Sequence, residues 1–168
     1  MPSNVGSILH WVHPEPGKCR YELRSGDRVL ATLEWKSIPD RDAEGTSGDR
    51  MLSLKRLGFF FHYVTITDVA AGSEMGVFKF YGGDKGELTF RDGYKVRWKF
   101  EGILEPRWYF TTETGSELIR FSVPKTKDSA GSRTIAVVEI LREMDEKSIS
   151  LLAVIGWYNI FNILSSGL

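Results

Sequence analysis

Cysteine is almost missing from this chain. Cys19 is the only one among 168 residues, which excludes an intramolecular disulfide framework and a multi-cysteine zinc site. A reducing, cytoplasmic setting is the expectation that follows. An excess of charge of either sign is missing too, since 22 Lys and Arg balance 22 Asp and Glu. A chain without a bulk basic field lacks the electrostatic drive for nucleic-acid binding, so no nucleic acid is expected as a partner. The start of the chain, MPSNVGSILHWVHPEP, has no basic segment followed by a long apolar run, and a signal peptide is not expected there. Its short apolar patch, residues 8–12, is read as a cap for one end of the fold.

Charge is also missing from the last twenty-one residues, which hold no Asp, Glu, Lys, Arg or His. Within them residues 149–164 read ISLLAVIGWYNIFNIL. Drawn as a helix, the segment has no polar face, so either protein or lipid must enclose it. Sixteen residues rise about 24 Å as a helix, close to the height of a barrel of tilted strands. All twenty-one rise about 31 Å, close to the ~30 Å hydrocarbon core of a bilayer. Asn159 and Asn162 favour the protein interior, because amides are costly against lipid and can bond to groups inside a protein. The flanking charges Arg142, Glu143, Asp145, Glu146 and Lys147 are mixed in sign, without the basic excess that marks a membrane-spanning helix. A helix over residues 148–165 buried in the fold is therefore expected. Leu151, Leu152, Ile155, Trp157, Ile160, Phe161 and Leu164 would form its core contacts. A tail anchor formed by residues 148–168 is the alternative.

Between the two ends, turn residues recur at the spacing of antiparallel strands, and the apolar residues between them alternate. Leu33 and Trp35 alternate with Glu34 and Lys36 after the Ser25-Gly26-Asp27 turn. The clearest hairpin covers residues 87–100. Its Asp92-Gly93 core predicts a tight turn with positive φ, and its inward set is Leu88, Phe90, Val96, Trp98 and Phe100. A second hairpin surrounds Glu113-Thr114-Gly115-Ser116. Two polar stretches, residues 37–50 and 124–133, read as loops. Strands placed over residues 19–141 form a meander with few places to hide an edge, so closure is expected. The fold class predicted is mainly β: a single domain over residues 1–168, in which a closed antiparallel β-barrel surrounds the C-terminal α-helix.

No catalytic constellation emerges. His10 and His13 in HWVHPEP are three apart with Glu15 nearby, yet His62 is the only other histidine and nothing fixes a shared geometry. Cys19 has no histidine partner to activate it and reads as a small apolar residue. The glycines of GGDKG lack the Lys-Ser/Thr ending of a phosphate loop, and no G-x-S-x-G elbow occurs. Neither catalytic residue, metal nor cofactor is expected. Two surface features remain. Lys125, Lys127 and Arg133 stand against Asp128 in one loop and would offer a positive patch to anionic lipid headgroups. Phe59, Phe60 and Phe61 are consecutive, so a strand cannot hide all three; they are read either as a docking contact for a partner or as a barrel rim packed on its own loops.

The order of these elements resembles a known group. Hairpin strands with Trp35, the aromatic region 59–63, GELTFRDGYKVRWKF, WYFTTETGSELIRF and the closing LLAVIGWYNIFNIL look like the tubby C-terminal-like superfamily, which includes tubby, the phospholipid scramblases and the LURP-one-related proteins. The resemblance covers roughly residues 19–164. It implies a closed barrel of about twelve strands round a hydrophobic C-terminal helix. It further implies a non-enzymatic interaction module that binds membrane lipid headgroups or a protein partner, as tubby binds phosphoinositides. None of tubby's lipid-binding basic positions is carried over to a residue of this chain.

Overall fold

A computed structural model describes residues 3–37, 41–58, 62–82, 84–102, 104–124 and 134–165. Twelve strands follow one another along the chain: β1 (Ile8–Val12), β2 (Arg20–Ser25), β3 (Arg28–Ser37), β4 (Asp42–Ser47), β5 (Arg50–Leu57), β6 (Tyr63–Asp68), β7 (Ser73–Phe80), β8 (Lys85–Phe90), β9 (Lys95–Glu101), β10 (Arg107–Thr111), β11 (Glu117–Ser122) and β12 (Thr134–Ile140). One helix, α1 (Glu146–Ser165), closes the order. Each strand pairs with its neighbours in sequence, and β1 pairs with both β2 and β12, so the sheet is a closed antiparallel barrel. Closure leaves no unpaired strand edge.

The alternation read from the sequence sets the two faces. In β8 and β9, Leu88, Val96 and Trp98 point inward and are at most 3 % exposed, with Phe90 and Phe100 packed against the same core. Their hairpin turns at Gly93, whose φ of +94° would strain any residue with a Cβ. The Asp92 carboxylate accepts the Tyr94 N–H at 2.9 Å and fixes the turn.

A barrel of twelve strands is too wide for its own side chains to fill. α1 fills it. It lies closest to β3 and β4 and also touches β10 and β12 across the lumen, and its buried residues run all round the wheel, from Leu152 to Asn162. Leu152, Ile155, Trp157 and Ile160 are core, and Leu151 and Phe161 are partly buried against it. Leu164 departs from the expected core set: it is 47 % exposed in the last turn, where the helix reaches the barrel mouth. Aromatic rings from the first three strands grip the second half of α1. Trp11 stacks on Trp157 at 6.4 Å, and Trp35 contacts Phe161 at 4.0 Å and lies parallel to Tyr158. Of the two amides, Asn162 accepts the Trp35 indole N–H at 3.3 Å. Asn159 is 1 % exposed and its amide has no partner among the described residues.

Two expectations are corrected. Residues 8–12 do not cap the barrel; they form β1, which closes it between β2 and β12, with Leu9 and Trp11 inward. Residues 37–50 are not one loop, because Asp42–Ser47 forms β4. Its inward residues, Ala43 and Gly45, are small and give no hydrophobic signal. Smallness is what the position requires: a Cβ on Gly45 would lie 2.6 Å from the Thr32 carbonyl oxygen and 3.6 Å from Val154 on α1. The helix rests close to the wall where the wall is thinnest.

Burial of tyrosine hydroxyls gives the fold an alkaline limit. Tyr158 is fully buried, donates its hydroxyl proton to the Arg41 carbonyl and has its pKa pushed up to about 12, mainly by desolvation. Burial, then the neighbouring Cys19, raises Tyr21 as well. A folded pKa above the unfolded value of about 10 means the contribution is complete below pH 10 and is lost as pH rises toward 12. We expect melting temperature to hold steady to pH 10 and then fall by an amount matching about 2–3 kcal/mol from Tyr158 alone. Tyr158→Phe should flatten that fall in a series of thermal melts; an unchanged slope would refute this assignment.

Candidate functional site

The barrel's two rims differ in what they carry. Arg28 pairs with Glu146 at the start of α1, so the β2–β3 turn lies at the rim where the helix begins. Arg41 donates to Ser165 at 2.7 Å, so the β3–β4 end lies at the rim where it finishes. Antiparallel order then assigns every other strand end. The ends of β5 and β6 at Leu57 and Tyr63, of β11 and β12 at Ser122 and Thr134, and the residue after β7, Tyr81, all belong to the rim where α1 finishes.

The residues singled out from the sequence distribute unevenly. Phe59, Phe60 and Phe61, and Lys125, Lys127 and Arg133, lie outside the described residues. His10 sits in β1, while His13, beyond its end, stacks on Tyr21 and holds the Lys18 carbonyl at 2.6 Å. Among the described residues no group of three or more His, Cys, Asp or Glu could hold a metal ion. Cys19 lies just before β2, partly buried, its carbonyl accepting the Trp35 N–H at 3.0 Å. Burial pushes its thiol pKa up, away from thiolate chemistry.

Near the rim where α1 ends, the outer wall of β7 to β9 brings together cations that the sequence reading passed over. Lys79, Lys85, Arg97 and Lys99 alternate with inward core residues and so share the outer face. Lys85 stands directly opposite Lys99 across the β8–β9 pair, an arrangement that costs stability because like charges face each other. Lys99 is held by Glu101 at 3.0 Å and Glu117 at 3.7 Å, with its ammonium over the Tyr109 ring at 4.9 Å. The Glu101 hydrogen bond raises its pKa. Lys79, Lys85 and Arg97 have no ion-pair partner among the described residues. Lys85, Arg97 and Lys99 line a depression of about 430 Å³ with Tyr81 and the carboxylate Glu87, and Glu101 and Glu117 hold Lys99 at its edge. Tyr81 is 56 % exposed.

Chemically, the depression offers an anion two or three hydrogen-bond donors on a rigid sheet, with an aromatic ring beside them. An anion seated between Lys85 and Lys99 would remove their mutual repulsion. The signal was present in the sequence as period-two cations, K-x-Y, K-x-E and R-x-K, on the polar faces of strands whose apolar faces had been read. Comparison of the chain with known protein families, curated proteins and solved structures gives no match.

Proposed function

We propose that this barrel is a non-enzymatic interaction module of the tubby and scramblase-like kind, binding anionic phospholipid headgroups on its outer surface. The observation that carries the reading is the opposed Lys85 and Lys99 beside exposed Tyr81, in a barrel whose interior is occupied by its own helix. With the lumen filled, recognition falls to the outer wall and loops. Strands β11 and β12 also end at this rim, at Ser122 and Thr134; Lys125, Lys127 and Arg133, between them in sequence, lie outside the described residues and are tested separately.

Sedimentation with vesicles of phosphatidylserine and phosphatidylcholine tests this. Each basic residue near an anionic surface contributes about 1 kcal/mol, so Lys85→Ala with Arg97→Ala should weaken binding roughly 30-fold, and salt should weaken it further. A Lys125→Ala, Lys127→Ala, Arg133→Ala variant measures the loop separately. If wild type does not bind, or both variants bind like wild type, the lipid reading fails and a protein partner takes its place.

A second reading draws on α1 itself, which is long and apolar enough to cross a membrane by length and composition. In that reading the chain is a tail-anchored membrane protein. The 67 % burial of its most apolar stretch favours the first reading. Partition of the full chain into the detergent phase, but not into buffer, would favour the second.

A further inference from the structure

The opposite rim, where α1 begins, holds a cleft of about 620 Å³ between the start of the helix and the β8–β9 and β10–β11 hairpins. That volume lies within the range of roughly 300–1,000 Å³ typical of small-molecule sites. Its floor is apolar: Val96, Leu118 and Leu152 are core residues with edges on the cleft, and Leu151, partly exposed, lines it from the first half of α1. One wall is the Phe90 and Tyr94 pair, stacked at 6.0 Å with an interplanar angle of 23°, and Tyr94 is 53 % exposed.

Charge at the lip tells which apolar molecule fits. Glu143 and Asp145 line the cleft, both exposed and neither in an ion pair among the described residues. Arg142 lines it too and offsets one of the two. The turns around this rim add Asp27, Asp49, Asp92 and Glu113 against Arg91, and the first turn of α1 adds Lys147, while Arg28 and Arg50 are tied up by Glu146 and Asp68. The rim is therefore net acidic in a chain of zero net charge. An apolar floor, an exposed aromatic face and unpaired carboxylates together match a molecule with an apolar tail and an ammonium head. Such a tail would be buried on the floor, and the head would meet the carboxylates and the ring face.

We propose that this cleft binds amphiphilic organic cations of the alkylammonium class, at a site separate from the basic wall on the other rim. Octylammonium, octanol and octanoate share a tail and differ in head charge, and their titration against the full chain by NMR tests the assignment. Octylammonium should bind saturably, with shifts centred on Tyr94 and Leu151, more tightly than octanol and far more tightly than octanoate. Glu143→Gln with Asp145→Asn should weaken octylammonium about tenfold and leave octanol unchanged. Leu151→Trp should block octylammonium and octanol by filling the floor. Thermal melts of each variant confirm that it is folded. Equal binding of the ammonium and the carboxylate, octylammonium binding that the carboxylate variant does not weaken, or no saturable binding by folded wild type, would overturn the proposal.

Discussion

Ile155→Asp is expected to abolish cooperative folding. Ile155 is 0 % exposed in the middle of α1, enclosed by the barrel. A carboxylate placed there either stays charged without a partner or takes up a proton and remains an unbonded polar group. Either state costs several kcal/mol, about 4–5 or more, on top of the lost apolar contact. Domains of this size have total stabilities of about 5–15 kcal/mol, so the variant should be insoluble or lack a cooperative thermal transition by circular dichroism. Ile155→Leu should lose less than about 1.5 kcal/mol, since it nearly conserves volume. Leu164→Asp, at a 47 % exposed position, should melt like wild type. Deleting residues 149–168 gives the sharpest contrast: a soluble, cooperatively melting barrel from that deletion would show that α1 is not core and would favour the tail-anchor reading.

Gly156→Leu should be nearly as damaging, for a steric reason. A Cβ on Gly156 would sit 2.2 Å from Phe121 Cζ and 2.6 Å from its Cε2, far inside any real contact. Phe121 cannot swing away, because it is fully buried against Trp98 at 5.8 Å and Phe110 at 6.1 Å. Replacing a helical glycine gains about 1 kcal/mol in propensity. Overpacking costs about 1–3 kcal/mol for an extra group and more for a whole side chain, so the clash wins. Phe121→Ala should itself cost about 3–5 kcal/mol by leaving a cavity. Combined, the two changes exchange volume across one contact, and the double variant should be about 2 kcal/mol more stable than the sum of the singles. Urea denaturation of all four proteins measures this. Strict additivity would mean that α1 and β11 do not meet at Gly156.

Gly156 on the helix and Gly45 on β4 are the small residues that let helix and wall meet closely within the lumen. They also explain which elements were legible beforehand. Strands such as β8 and β9 announce themselves because bulky inward residues alternate with charged ones and a glycine turn joins them. β4 does not, since its inward residues are Ala43 and Gly45 and its outward ones resemble a loop. β1 was missed for a different reason. Its pattern is short, and its partner β12 lies more than a hundred residues away in sequence, so no local signal distinguishes a closing strand from a cap.

The candidate site divides in the same way. Positive charge on Lys79, Lys85, Arg97 and Lys99 is visible in the chain, but the direct opposition of Lys85 and Lys99 exists only through the β8–β9 register. The acidic cleft is hidden more completely, for it joins hairpins near residues 90 and 115 to the start of a helix at 146. By itself the sequence determined that α1 must be enclosed, because a helix apolar on every side has no face to offer water. It also determined that an alternating meander would supply the enclosure. Only the tertiary structure decided how the barrel closes, where small residues let the helix touch the wall, and which charges meet at each rim. Those depend on register and contact between distant segments, which no local periodicity encodes.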